Sequence, residues 1–232
     1  MPRQPSAKSR SPEPPCGVIL QLKIRLLEVS PMVWRRVLVP DTFTLEELHG
    51  IIQVTMGWEG IHLYQFWIRA VHYGSFDLCV SSPRVTLAHF RFRKGAKFTY
   101  EYDMTDFWRH EIRVEDRLEP EPGRPYPLCI DGVHACPPEE CGGPEGYADR
   151  RLDALGFEAM DDLATLARLI EEIVLKEQVD LLDDPETRGE LERALERTQA
   201  RQLFLADTFS RQAVNARLMQ EEHHVLMHQQ LW

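Results

Sequence analysis

Three cysteines and a histidine fall within one short stretch, Cys129-Ile-Asp-Gly-Val-His134-Ala-Cys136-Pro-Pro-Glu-Glu-Cys141. Thiols gathered in this way share a metal, form a disulfide or carry redox chemistry. A structural zinc site takes four thiolate or imidazole ligands in a tetrahedron, so Cys129, Cys136 and Cys141 call for one more donor. His110, on a strand leading into the loop, is the first choice, and His134 inside the loop is the second. Pro137-Pro138 and Gly142-Gly143 stiffen and bend the backbone around the thiols. In this reading zinc staples a segment that has little core of its own, and its binding energy becomes folding energy. The competing reading is a set of inert buried thiols, because the spacing lacks the paired Cys-x-x-Cys of common zinc modules.

A second constellation, Asp103, Asp106, Trp108, His110 and Glu111, precedes the loop. Strand alternation places Asp106, Trp108 and His110 on one face and Glu111 on the other. Two carboxylates and an imidazole can hold a metal or act as acid and base, and a metal-dependent hydrolase would work from Asp106, His110 and the cysteine loop. The plainer reading is a turn whose aspartates cap backbone N–H groups, with Trp108 in the core. His49, His62 and His72 read as structural histidines, with His62 at a strand start. His224 and His228 stand four apart on a helix, but Val225 occupies the place where a metalloprotease helix carries its glutamate. Lys23, Arg25, Arg35 and Arg36 beside Trp34 raise nucleic-acid contact. Arg35 and Arg36 must point to opposite faces of a strand, so one strand alone makes no basic stripe.

Composition narrows the classes. The 232 residues carry a formal net charge of −10, which opposes whole-chain attraction to phosphates. Seven Lys/Arg nevertheless fall in residues 1–40, against Glu13 and Glu28. An apolar fraction of 43% suffices for a core, and no apolar run approaches the roughly 20 residues of a membrane span. The Pro/Ser/Arg-rich residues 1–16 read as a disordered leader with no signal-peptide core. A cytoplasmic protein with reduced thiols is expected, and five cysteines, an odd number, agree with that.

The elements that must position these groups follow from periodicity. Alternation from Leu20 to Leu26 marks a strand, Ser30-Pro31 a turn, and Val33–Val39 a second strand. Thr44 and Glu47 form a capping-box pattern that opens a helix running to about Met56, with Gly57 as its left-handed cap. Leu45, Leu48, Ile52 and Met56 form its buried side. His62–Val71 reads as a third strand, Val85–Phe92 as a short helix or an edge strand, and Lys97–Tyr102 with Trp108–Val114 as an antiparallel pair around Met104–Asp106. The class is α+β: an antiparallel sheet with a helix packed on one face, followed by a C-terminal helical extension. Helical spacing of Leu163, Leu166, Ile170 and Ile173 begins that extension. A segment over about 187–204 follows, then one from Ser210 that sets Val214, Leu218 and Val225 on one side. The domain is expected over 17–157 and the extension over 158–232.

The ordered series Pro31-Met-Val-Trp-Arg-Arg36, Leu48-His49, Ile52-Gln53, Met56-Gly-Trp58, His62-Leu-Tyr-Gln-Phe66, Phe98-Thr-Tyr-Glu-Tyr-Asp103, Asp106-Phe-Trp-Arg-His-Glu-Ile112, Cys129 and Ala135-Cys-Pro-Pro-Glu-Glu-Cys-Gly-Gly-Pro-Glu-Gly-Tyr147 resembles the Ri-plasmid ORF-three-like family over about residues 17–157. The resemblance implies an α+β domain of the kind carried on plasmids and as passengers in insertion elements. It supplies no reaction, and no nucleophilic Ser or Tyr stands in a recombinase motif. The chain departs from the pattern where the usual Asp-Phe-Gly-Asp turn reads Asp103-Met-Thr-Asp106. Function is therefore expected to be a non-enzymatic binding module with a zinc-stapled loop. Its helices would contact a protein partner or a second copy, and nucleic acid is the lesser alternative.

Overall fold

The computed structural model describes residues 17–205 and 208–229; the expected leader, residues 1–16, lies outside the described residues. Seven strands form one antiparallel sheet: β1 (Ile19–Leu26), β2 (Trp34–Pro40), β3 (Tyr64–Ile68), β4 (Val71–Gly74), β5 (Lys97–Tyr102), β6 (Trp108–Leu118) and β7 (Leu128–Val133). Their order across the sheet is β4-β3-β5-β6-β1-β2-β7. The α+β class expected from the sequence is the one observed.

Alternation sorts the sheet into two faces. Leu20, Leu22, Ile24 and Leu26 of β1 point inward and are buried, as are Phe98, Tyr100 and Tyr102 of β5. The outward positions are polar. Register aligns Lys97 with Arg113, Arg113 with Lys23, and Lys23 with Arg36. Four cations thus form a row across four strands, which no single strand reveals. Glu111 and Glu115 interleave with it and pair with Lys97 and Arg36, so two of the four cations are paired within the row. Arg35 points the other way, as β-strand geometry demands, and is buried.

The helix α1 (Leu45–Met56) covers the inward face. Its start is the expected capping box: Glu47 N–H donates to Thr44 Oγ1 at 3.1 Å, and Thr44 N–H to Glu47 Oε2 at 2.7 Å. Gly57 ends it in the left-handed region at φ 90°. The sequence stripe implied one buried side, yet His49, Gly50, Gln53 and Thr55 are buried as well. The reason is a second layer. Helices α5 (Arg211–Met219) and α6 (Glu222–Leu226) fold back over α1, and α5 also packs on β7. Gly50 is where α6 crosses: a Cβ there would stand 2.0 Å from the backbone oxygen of His223.

The expected third strand, His62–Val71, is in fact a hairpin. Arg69 and Ala70 adopt φ of 51° and 65° and separate β3 from β4. Val85–Phe92 contributes one 3-10 turn, Leu87–Phe90. The remaining helices are α2 (Gly143–Ala154), α3 (Phe157–Ile170) and α4 (Pro185–Leu205). These three pack on one another, around Asp162, whose carboxylate accepts from Arg197 and Arg201. That buried ion pair turns α3 so that Ala159, Asp162 and Leu169 face inward while Leu163 and Ile170 of the anticipated stripe face solvent. Val214 and Leu218 are buried on α5 as expected, whereas Val225 on α6 is exposed, because Glu221 at φ 59° breaks the helix between them.

Candidate functional site

Several residues of the ordered motif series, among them Trp58, His62, Tyr102, Asp106 and Trp108, meet where the cysteine loop docks. Beneath α1 lies a buried polar knot. Tyr100 on β5 is met by His49 Nδ1 at 2.7 Å and by Gln53 Nε2, which donates to its hydroxyl at 2.8 Å. The His49 ring stacks on Tyr64 at 3.7 Å. A neutral imidazole whose Nδ1 accepts the Tyr100 proton carries its own proton on Nε2. Burial holds His49 neutral by lowering its pKa to about 3, and it does the same to His110 on β6. Among the described residues, His49 Nε2, Gln53 Oε1 and His110 Nε2 meet no hydrogen-bond partner.

Above the knot, two tryptophans hold the loop by their indole N–H groups. Trp58 donates to the carbonyl of Pro137 at 2.9 Å and Trp108 to that of Glu139 at 3.2 Å. Their rings lie 5.4 Å apart, and Trp58 also stacks on Tyr102. The Glu139 carboxylate accepts from the Tyr102 hydroxyl and, at 2.7 Å, from Glu59 N–H. His62 Nε2 stands 2.5 Å from Glu140 and 3.7 Å from Asp103. Asp106 caps the helix that follows: its Oδ2 accepts from Gly142 N–H at 3.0 Å and Gly143 N–H at 2.8 Å. A carboxylate at a helix N-terminus satisfies orphan donors and complements the helix dipole.

The turn between β5 and β6 explains the missing glycine. Left-handed φ values fall at Asp103 (59°) and Phe107 (53°), on either side of Met104-Thr105-Asp106, so Thr105 needs no glycine's freedom. The same kink takes Asp106 out of strand alternation. It faces solvent and α2, while Trp108 and His110 are fully buried. Asp106 and His110, paired in the hydrolase reading, thus sit in different environments.

Of the four residues expected to share zinc, His110 and Cys129 are held on different strands. His110 lies on β6 under the edge of Trp58. Cys129 lies on β7, three strands across the sheet, which at strand spacing is about 14 Å. Cys129 Sγ donates to the Asp131 carbonyl at 3.5 Å and Cys141 Sγ to that of Gly143 at 3.9 Å. The Cys129, Cys136 and Cys141 thiols are free. Burial pushes Cys129 and Cys141 up to about 11 and raises Cys136 further. At neutral pH the thiols are protonated and poor as nucleophiles. Among the described residues no group of three or more His, Cys, Asp or Glu is placed to hold a metal ion. His134 points its Nδ1 at the Met32 carbonyl, 3.1 Å away, on the surface.

Beside the docked loop, a cleft of about 600 Å³ opens on the outer sheet face. Trp67 and Phe107 present exposed aromatic surface there. Glu28, Glu101, Asp106 and Glu145 line it against a single cation, Arg109, which pairs with Glu28. Trp67 Nε1 and Gln65 Nε2 both donate to Glu101 Oε2, at 3.1 and 2.7 Å, fixing the indole over the cleft. Sequence reasoning did not single out this cleft, because its walls come from β3, β5, β6 and the start of α2. It also passed over Gln53, Tyr100 and Glu139 as site residues, although His49 and Gln53, four apart on a helix, were a signal of a polar patch on the buried side.

Residues 18–171 match the plasmid pRiA4b ORF-3-like protein family. The chain belongs to that family. The match runs past the boundary expected at 157 and takes in α3, so this ORF-3-like domain includes part of the helical region. One similar protein is the uncharacterised protein y4hQ of Sinorhizobium fredii, 40% identical over 137 residues, which are 56% of this chain and 70% of that one. A crystal structure of a protein of unknown function from Methanosarcina mazei Go1 superposes with a TM-score of 0.55 at 30% identity, covering 62% of this chain and 86% of the other. Among the described residues, no helix of this ORF-3-like protein is long and apolar enough to cross a membrane.

The capping role of Asp106 makes a definite prediction. Asp106→Ala strands the Gly142 and Gly143 donors and is expected to cost about 1 kcal/mol of stability. The midpoint of urea unfolding reads this directly. An unchanged midpoint would mean that the cap is replaced by water at no cost.

Proposed function

We propose that this ORF-3-like protein is a non-enzymatic binding module whose recognition surface is the acidic, aromatic cleft beside the docked cysteine loop. The observation that carries the reading is the contrast between the two halves of the site. The groups with chemical potential are committed to structure: Asp106 caps α2, Glu139 bridges Tyr102 and Glu59, and His49 and His110 are sealed and neutral. What remains open presents two aromatic faces and the carboxylates of Glu28, Glu101 and Glu145 against one arginine. Aromatic faces and carboxylates together attract a cation, since ring quadrupole and formal charge act in the same direction. A lysine or arginine side chain of a partner protein has that chemistry.

Titration with short Arg- and Lys-containing peptides, followed by calorimetry at low and moderate salt, tests the proposal. Binding is expected to weaken with salt. Glu101→Gln with Glu145→Gln is expected to weaken it by roughly tenfold, about 1.4 kcal/mol. Failure of every cationic peptide to bind at roughly millimolar concentration rejects the reading, as does binding that the double variant leaves unaltered.

A further inference from the structure

Helix α3 is amphipathic twice over. One side, with Ala159, Asp162 and Leu169, is buried against its own bundle. The opposite side is apolar and open. Phe157 is 95% exposed, and Met160, Leu163, Ile170 and Val174 are exposed with it. These positions, with the exposed Ala164 and Ala167, recur at intervals of three and four residues through α3 and the π-helical turn Glu171–Leu175 that continues it. Along about 26 Å of helix, this is the seam that packs one helix against another. Water-facing apolar surface of this extent marks an interaction site.

We infer that α3 pairs in antiparallel fashion with α3 of a second copy of this chain. The seam is self-complementary when reversed. A two-fold axis between Thr165 and Leu166 sets Phe157 of one copy beside Val174 of the other, and Ala164 beside Ala167, so bulk lies at both ends and small residues at the closest approach. The flanking charges agree. Asp161 and Arg168 lie one heptad apart on the same edge of the seam, and reversal brings each Asp161 against the other copy's Arg168. Parallel pairing would set this edge against the other edge of the partner helix, which carries Leu163 and Ile170, and the charge match would be lost. A contact related by a two-fold axis is isologous and closes at two copies. Arg168 keeps a guanidinium half open to solvent while pairing with Glu190 and Glu172, so it has donors left for the contact. The pair is independent of the acidic cleft, which lies on the sheet.

Sedimentation equilibrium of the full chain tests the inference. A helix pair of this length lies at the small end of interfaces, so a monomer–dimer equilibrium with a dissociation constant on the order of 10 μM is expected. Ala164→Glu places a charge at the point of closest approach and is expected to weaken it at least roughly tenfold. Asp161→Arg is expected to weaken it by a few-fold, and adding Arg168→Asp to that variant to restore it. Far-ultraviolet circular dichroism identifies any variant that has lost its fold, and the Asp161/Arg168 exchange keeps the test open should Ala164→Glu misfold. A wild-type chain that stays monomeric at roughly 100 μM overturns the inference. So does dimerisation that folded Ala164→Glu or the charge exchange leaves unchanged, because the interface would then lie elsewhere.

Discussion

Acidification is expected to unfold this protein through its buried histidines. His49, His110 and His223 are almost wholly buried, and burial lowers the first two to about 3 and the third to about 4. In the unfolded chain each returns to about 6.5. A histidine with a depressed folded pKa binds its proton more readily when unfolded, so its contribution is fully present above pH 6.5. That contribution is lost as pH falls from 6.5 towards the folded pKa. Three such groups give a slope of about 4 kcal/mol per pH unit once all three titrate in the unfolded state. Against a stability of about 5–10 kcal/mol, the lower part of the usual range, the midpoint should fall at roughly pH 4 to 5. The Asp162 carboxylate, held down to about 2 mainly by Arg197, adds its loss only below that window. Circular dichroism during acid titration measures the midpoint, and native signal persisting to roughly pH 3 would contradict the three buried imidazoles.

Arg35→Met is expected to be the most damaging single substitution among the basic residues, costing about 3 kcal/mol or more. The guanidinium donates from Nε to the Thr55 carbonyl at the end of α1, at 2.8 Å, and from one terminal nitrogen to the carbonyls of Trp34 and Val133, both at 2.9 Å. Its plane lies 4.1 Å from the ring of Phe209. One side chain therefore ties β2, β7, the C-terminus of α1 and the returning C-terminal segment together. Methionine fills the volume and leaves three carbonyls without their donor, the costly case for buried polar groups. Arg35→Lys is expected to recover little, because an ammonium lacks the planar fork that reaches separate acceptors. Urea unfolding of both variants provides the measurement. A loss below about 1 kcal/mol for Arg35→Met would show that water replaces the fork.

Arg35 also shows where reading a basic patch from sequence fails. In sequence it stands between Trp34 and Arg36 as one of four cations beside an aromatic, the pattern of phosphate contact. Alternation already required Arg35 and Arg36 to part company, but which of the two faced the core depended on the register with β1 and β7. Arg36 went outward to Glu115 and Asp131, and Lys23 and Arg36 went to the face of Trp34. The cysteines follow the same rule. Their closeness in sequence suggested a shared ligand set with His110, but β7 carries Cys129 three strands across the sheet from that histidine.

By itself the sequence determined everything whose cause is local: the capping box at Thr44, the Gly57 stop, the two-residue alternation of β1, β5 and β6, the α+β class, and membership in the ORF-3-like family. Neighbours within a few residues decide those features, so a single chain displays them. Only the tertiary structure decided what covers α1, which arginine is buried, which face of α3 stays open, and that an acidic cleft forms beside the loop. Each of these depends on contacts between residues tens of positions apart, and the free energy of such contacts is not written in the spacing of either partner.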